Sequence, residues 1–88
     1  MKALVVTEIE MHNPGMGTWK CMEDYTFINP AHVMTIKSLS RKLLQWDEDL
    51  EELVAMVVYT YEVILVGGLR LQCLVEDRED FYNKITGE

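Results

Sequence analysis

The alternation of apolar and polar positions is sharpest toward the end of the chain. Tyr59 to Val66 is β-branched and aromatic. Leu69 to Val75 alternates Leu69, Leu71, Cys73 and Val75 with Arg70 and Gln72, and Gly67-Gly68 lies between the two stretches. This pattern predicts a β-hairpin with a two-residue turn, because glycine supplies positive φ at both turn centres. Such a turn sets Val66 opposite Leu69, Ile64 opposite Leu71, Glu62 opposite Cys73 and Thr60 opposite Val75. The other face then carries Tyr59, Tyr61, Val63 and Leu65 against Glu76, Leu74, Gln72 and Arg70. A one-residue slip would exchange the two faces. After the hairpin, Asp77 is placed to cap a helix, with Glu79 and Asp80 favouring the positive end of its dipole. Phe81 and Ile85, four apart, would share the face toward the sheet, and Gly87 would end the helix.

Upstream, Lys2 to Met11 has strand character. Ala3, Val5, Thr7, Ile9 and Met11 share one parity, and Leu4 and Val6 the other. Asn13-Pro14-Gly15-Met16 fits a type II turn. Thr18 to Met22 and Tyr25 to Ile28 form two short strand candidates split by Glu23 and Asp24. Asn29-Pro30-Ala31-His32 fits a turn with proline at its second position, and Val33 to Lys37 a further short strand. Between Ser38 and Val57, the residues Leu39, Leu43, Trp46, Leu50, Leu53 and Val57 recur at heptad spacing. That predicts a helix, either one long element or a shorter one over 47–56 capped by Asp47. The expected fold class is α+β. Residues 1–88 would form one domain: a small antiparallel sheet with the Gly67-Gly68 hairpin, an inserted acidic helix and a short C-terminal helix.

Composition narrows the function. Eighty-eight residues carry a net charge of −7, which opposes direct nucleic-acid binding. No Lys or Arg occurs between Lys42 and Arg70, while Asp47, Glu48, Asp49, Glu51 and Glu52 crowd into six positions. Such a cluster is a solvated face, a docking surface for a basic-surfaced partner, or a mimic of nucleic-acid phosphates. No apolar run is long enough to span a membrane, and the first residues are too short for a signal peptide before Thr7 and Glu8. The expected location is cytoplasmic. Cys21 and Cys73 do not make a disulfide framework and are expected as small core hydrophobes.

Candidate chemistry is sparse. His12, Cys21, His32 and Cys73 are not paired at a short zinc-type spacing, so no metal or cofactor is expected. Opposite Glu62, the Cys73 thiol would have a raised pKa, and Cys21 with His32 has no nucleophile motif behind it. Glu62 interrupts an apolar strand, and its expected role is structural, paired with Arg70 or a backbone group. The face of Tyr59, Tyr61, Val63 and Leu65 is either an exposed patch, which marks an interface, or is covered by the acidic helix.

Two segments together resemble a known family. Tyr25 to Ile36, with its Asn29-Pro30 step, and Ile64 to Glu76 followed by Phe81 and Ile85 are similar to the FlbD/SwrD family of bacterial flagellar and swarming proteins. That resemblance covers residues 25–36 and 64–85. It implies a short, non-enzymatic domain of strands followed by a helix, with residues 39–57 as an insertion.

The resulting expectation is a non-enzymatic protein-interaction module. It would act through Asp47, Glu48, Asp49, Glu51 and Glu52 on the acidic helix and through Tyr59, Tyr61, Val63 and Leu65 on the hairpin. Homo-oligomers would form through the heptad seam or a strand edge. The alternatives are an acidic phage-type inhibitor of a host nucleic-acid enzyme, and a small thiol or metal-dependent enzyme using Cys21, His32 or Cys73.

Overall fold

The computed structural model describes residues 3–87; Lys2, the expected start of the first strand, lies outside them. Five strands close into a barrel in chain order: β1 (Leu4–Asn13), β2 (Thr18–Ile28), β3 (Val33–Asp47), β4 (Glu52–Leu65) and β5 (Arg70–Leu74). Among the described residues a single α-helix, α1 (Arg78–Thr86), follows. The expected α+β class with an inserted helix is therefore corrected to a β-barrel with one short C-terminal helix.

β1 and β2 form an antiparallel hairpin from Leu4↔Ile28 to Asn13↔Thr18. Leu4 and Val6 point into the core; a register shift between Thr7 and Ile9 then turns Ile9 inward as well. A bulge of this kind lets a strand follow a curved wall. Glu23 and Asp24 do not split β2, because its outer face is in water and accepts them. At the β1–β2 turn the backbone of Met16 donates to Asn13 O at 3.2 Å. Positive φ falls on Gly17 (66°) and not on Gly15, so the expected type II turn is not formed. The Asn29-Pro30 turn is present as one 3-10 turn over Pro30–His32, with Asn29 Oδ1 accepting from Ala31 N at 3.0 Å.

β3 and β4 pair antiparallel from Val33↔Leu65 to Asp47↔Glu52. β2 joins β3 in parallel through only two pairs, Thr18↔Lys42 and Trp19↔Leu43. β5 pairs with the end of β4 and closes the ring on β1 through Thr7↔Leu74 and Glu8↔Cys73. The core gathers Leu4, Val6, Ile28, Tyr61, Val63, Cys73 and Phe81.

The β4–β5 turn decides which side chains reach that core. Gly68 N donates to Leu65 O at 2.9 Å and Leu65 N to Leu69 O at 2.8 Å, with φ of 95° at Gly67 and 87° at Gly68. The turn centres are thus Val66 and Gly67, and Gly68 is an extra residue on the β5 side. Both glycines are used, but the register differs by one from a two-residue turn: Tyr61 opposes Cys73, Glu62 opposes Gln72 and Val63 opposes Leu71.

Helix α1 forms where its capping residues predict it. Asp77 accepts from Asp80 N at 3.0 Å, and Gly87 ends the helix at φ 83°. Phe81 is buried with its ring centroid 5.3 Å from that of Tyr61, and Ile85 packs on the same core. The helix closes one end of the barrel.

Candidate functional site: the β3–β4 arm

The β3–β4 ribbon outruns the barrel. Beyond Leu43, which is fully buried, the two strands pair, among the described residues, only with each other. The molecule measures 41 × 26 × 20 Å. This arm occupies the stretch where the acidic helix was expected. Its heptad spacing is a coincidence of a chain that reverses at its midpoint: Trp46 and Leu53 become cross-strand partners, and Leu50 sits in the connecting loop. The local reason lies in β4, where Val54, Val57, Val58, Tyr59, Thr60, Tyr61, Val63 and Ile64 are β-branched or aromatic and favour a pleated strand. Asp47 does act as a cap, but of a turn: its Oδ1 accepts from Asp49 N at 2.9 Å and Leu50 N at 3.1 Å. Glu51 completes the reversal at φ 52°, a left-handed conformation that L-residues seldom adopt.

Residues opposed across the two strands share a face. One face of the arm carries the pairs Trp46/Leu53, Leu44/Ala55, Lys42/Val57 and Ser40/Tyr59. Trp46 and Leu53 are each 61% exposed, Tyr59 64% and Val57 69%. The opposite face turns toward the barrel. There Leu43 and Thr60 are fully buried, and the Arg41 guanidinium lies 4.4 Å over the Trp19 ring.

The expected site residues separate into three groups. Asp47, Glu48, Asp49, Glu51 and Glu52 stay together at the arm's tip, on a turn and not on a helix; all but the half-buried Asp47 are exposed. Tyr59 is exposed on the arm. Tyr61 (1% exposed) and Val63 (0%) are core residues, and Leu65 packs partly buried against them. The expected apolar patch of Tyr59, Tyr61, Val63 and Leu65 is thus corrected: the one-residue shift at the turn sends its middle inside. Trp46, Leu53 and Val57, which the heptad spacing places on a helix, form a strand surface instead. Their signal was present in the absence of any charge from Leu53 to Tyr61.

The polar groups near the barrel are arranged around Glu62. Gln72 Nε2 donates to Glu62 Oε2 at 2.9 Å, and Arg70 Nη1 lies 3.5 Å from Glu62 Oε1. Arg41 Nη2 donates to the other end of the same Gln72 amide. The hydrogen bond from Gln72, with the positive charge of Arg70 as a lesser cause, holds the Glu62 carboxyl below its ordinary range. The pairing of Glu62 with Arg70 is as the sequence suggested.

The thiols sit apart. Cys73 is fully buried opposite Tyr61 and Glu8, not opposite Glu62. Burial, followed by the Glu8 charge, pushes its thiol up to about 12. Cys21 is exposed on β2, and partial burial of its thiol raises its pKa as well. Among the described residues, no three His, Cys, Asp or Glu side chains group as metal ligands. A cleft of about 130 Å³ lies between β1 and α1, lined by Leu4, Tyr25, Glu76 and Phe81 among others. It is well below the volume of a usual small-molecule site. Among the described residues no helix is long and apolar enough to cross a membrane. Comparison of the chain with known protein families, with curated proteins and with solved structures returns no match.

Proposed function

We propose that this chain is a non-enzymatic protein-interaction module whose contact surface is the exposed face of the β3–β4 arm. The observation that carries the reading is the exposed apolar row of Leu53, Val57 and Tyr59 on β4, extended by Trp46 across from Leu53 and held on a paired ribbon. Aromatic and aliphatic anchors of this kind dominate binding energy once covered. The acids at the tip select a partner with basic residues beside an apolar groove, and they raise the encounter rate at low salt. Two free thiols support a cytoplasmic location for the module.

The test is capture of partners by tagged protein at low and moderate salt, with a double variant Trp46→Ser/Leu53→Ser run beside it. The partner is expected to be lost with the double variant and kept with Met34→Ser, an exposed change off the arm. A partner held equally by all three proteins sinks the reading. A flagellar or swarming component among the specific partners is the outcome the FlbD/SwrD resemblance implies.

A second reading is the acidic inhibitor of a nucleic-acid enzyme. It is favoured by one observation: Glu48, Asp49, Glu51 and Glu52 are exposed together at the end of a projecting arm. Neutralising the five acids as Asn and Gln leaves the Asp47 turn acceptor in place, because an amide oxygen substitutes for the carboxylate. Inhibition should then be lost. Inhibition retained by that variant removes this reading.

A further inference from the structure

The two long edges of the arm are protected unequally. On β3, the outer edge near the barrel carries Lys37, Arg41 and Lys42, and β2 pairs with it at Lys42 and Leu43. On β4, β5 covers only Tyr61 to Ile64. Among the described residues, nothing pairs with the outer backbone edge of Glu52 to Thr60. From Leu53 to Thr60 that edge has no charge, no proline and no glycine, and no register shift interrupts it. Natural edge strands are blunted by such devices, because unpaired N–H and C=O groups template another strand. An edge left bare over this length is a template for another strand.

We propose that a second copy of this chain covers it, with the two β4 strands pairing antiparallel about a two-fold axis at Met56. Geometry and charge both favour a second copy. The free stretch runs from Glu52 to Thr60, so pairing it with itself over its whole length centres on Met56. In that register Leu53 faces Tyr59 of the other copy and Ala55 faces Val57. Opposed residues keep the same parity, so the exposed apolar face continues from one arm to the next across four strands. Moving one step further along the barrel would set Glu52 against Glu62 and run into β5; centring on Met56 avoids both.

Each arm carries Glu51 and Glu52 at its tip, and at its base Arg78 lies 5.8 Å over the Tyr59 ring with no carboxylate within ion-pair distance among the described residues. Of the acids flanking Arg78, Asp77 caps α1 and Asp80 pairs with Lys84, so Glu79 is the one left to oppose it. Antiparallel pairing brings the tip acids of one copy to the Arg78 of the other, twice by symmetry. An isologous contact of this sort is self-complementary and closes at a dimer. It uses the edge of β4 and leaves Trp46 open, and it joins the Leu53, Val57 and Tyr59 rows of the two copies into one platform.

Sedimentation velocity of the full chain at rising concentration tests this. A reversible dimer is expected. Met56→Lys sets two ammonium groups against each other at the axis and should weaken the dimer by about tenfold or more. Met56 is half exposed, so the variant should keep its fold, checked by circular dichroism. Arg78→Glu should weaken the dimer, and adding Glu51→Lys and Glu52→Lys to it should restore it. Trp46→Ser should leave it intact, which separates this contact from the partner-binding face. A chain that stays monomeric at high micromolar concentration overturns the proposal. So does a dimer that Met56→Lys leaves unchanged.

Discussion

The barrel end and the arm are built from the same two strands and behave as opposites. Between Tyr61 and Val63, β4 lies against β5 and under α1, and its inward side chains are sealed. Four and eight positions before Tyr61, at Val57 and Leu53, the same strand presents equally apolar side chains to water. Nothing in the residue types separates these stretches. What separates them is the number of layers around the strand. Near the turn, β4 has neighbours on both edges and a helix over its end. On the arm it has β3 alone. A two-stranded ribbon has no third element to bury its outer face, so the same hydrophobicity that stabilises one end is available for association at the other.

The contrast predicts mutations with very different costs. Phe81→Ala, which removes the ring that closes the barrel over Tyr61, should destabilise the fold by about 3–5 kcal/mol in urea denaturation. That is a large part of the total for so small a domain. If the loss is under about 1 kcal/mol, the barrel end is not the stabilising half.

The thiols give a second contrast. Cys21 should label readily in the native state, and Cys73 at least about a hundredfold more slowly, through opening of the barrel. The sign of the pH effect follows from the raised Cys73 thiol. The unfolded thiol ionises near about pH 8.5, the folded one only at about 12. Its stabilising contribution is therefore complete below about pH 8.5 and is lost as pH rises toward 12. Equal labelling rates would mean that Cys73 is not sealed in the barrel.

Smaller effects refine each half. The Tyr61 hydroxyl is buried with Tyr82 and Arg78 as its polar neighbours. Tyr61→Phe should change stability by no more than about 1 kcal/mol, because those neighbours return part of what burial costs the hydroxyl. At the arm's tip, Glu51→Gly relieves a left-handed residue and should stabilise by up to about 1 kcal/mol. A loss of stability there would mean that the turn has another shape. Finally, Trp46→Ser should change stability by less than about 0.5 kcal/mol while removing partner binding. A large destabilisation would place Trp46 in a core and erase the distinction between the two halves.

Much of the local structure could be read from residue chemistry. The α1 boundaries follow from the Asp77 cap and the Gly87 stop, and the Asn29-Pro30 turn and the Glu62–Arg70 pairing formed as their residues suggest. These depend on groups a few residues apart or on a strand and its own turn partner. The acidic stretch was not legible. Leu39 to Val57 carries both a heptad spacing and a β-branched second half, and the two signals contradict each other. Pairing of β3 along the full length of β4 resolves them in favour of the strand.

By itself, the sequence determined where strands and turns lie near the glycines and prolines, how α1 is capped, and that acids cluster midway along the chain. Those choices are local, set by backbone sterics and short hydrogen bonds. The tertiary structure decided which apolar residues are core and which are surface. A shift of one residue at Gly68 turned Tyr61 and Val63 inward, and closure of β5 on β1 left the β3–β4 ribbon projecting with its apolar face open. Side chains on a strand alternate with period two, so hydrophobicity alone cannot choose the face. Only the register and the neighbouring strands do that.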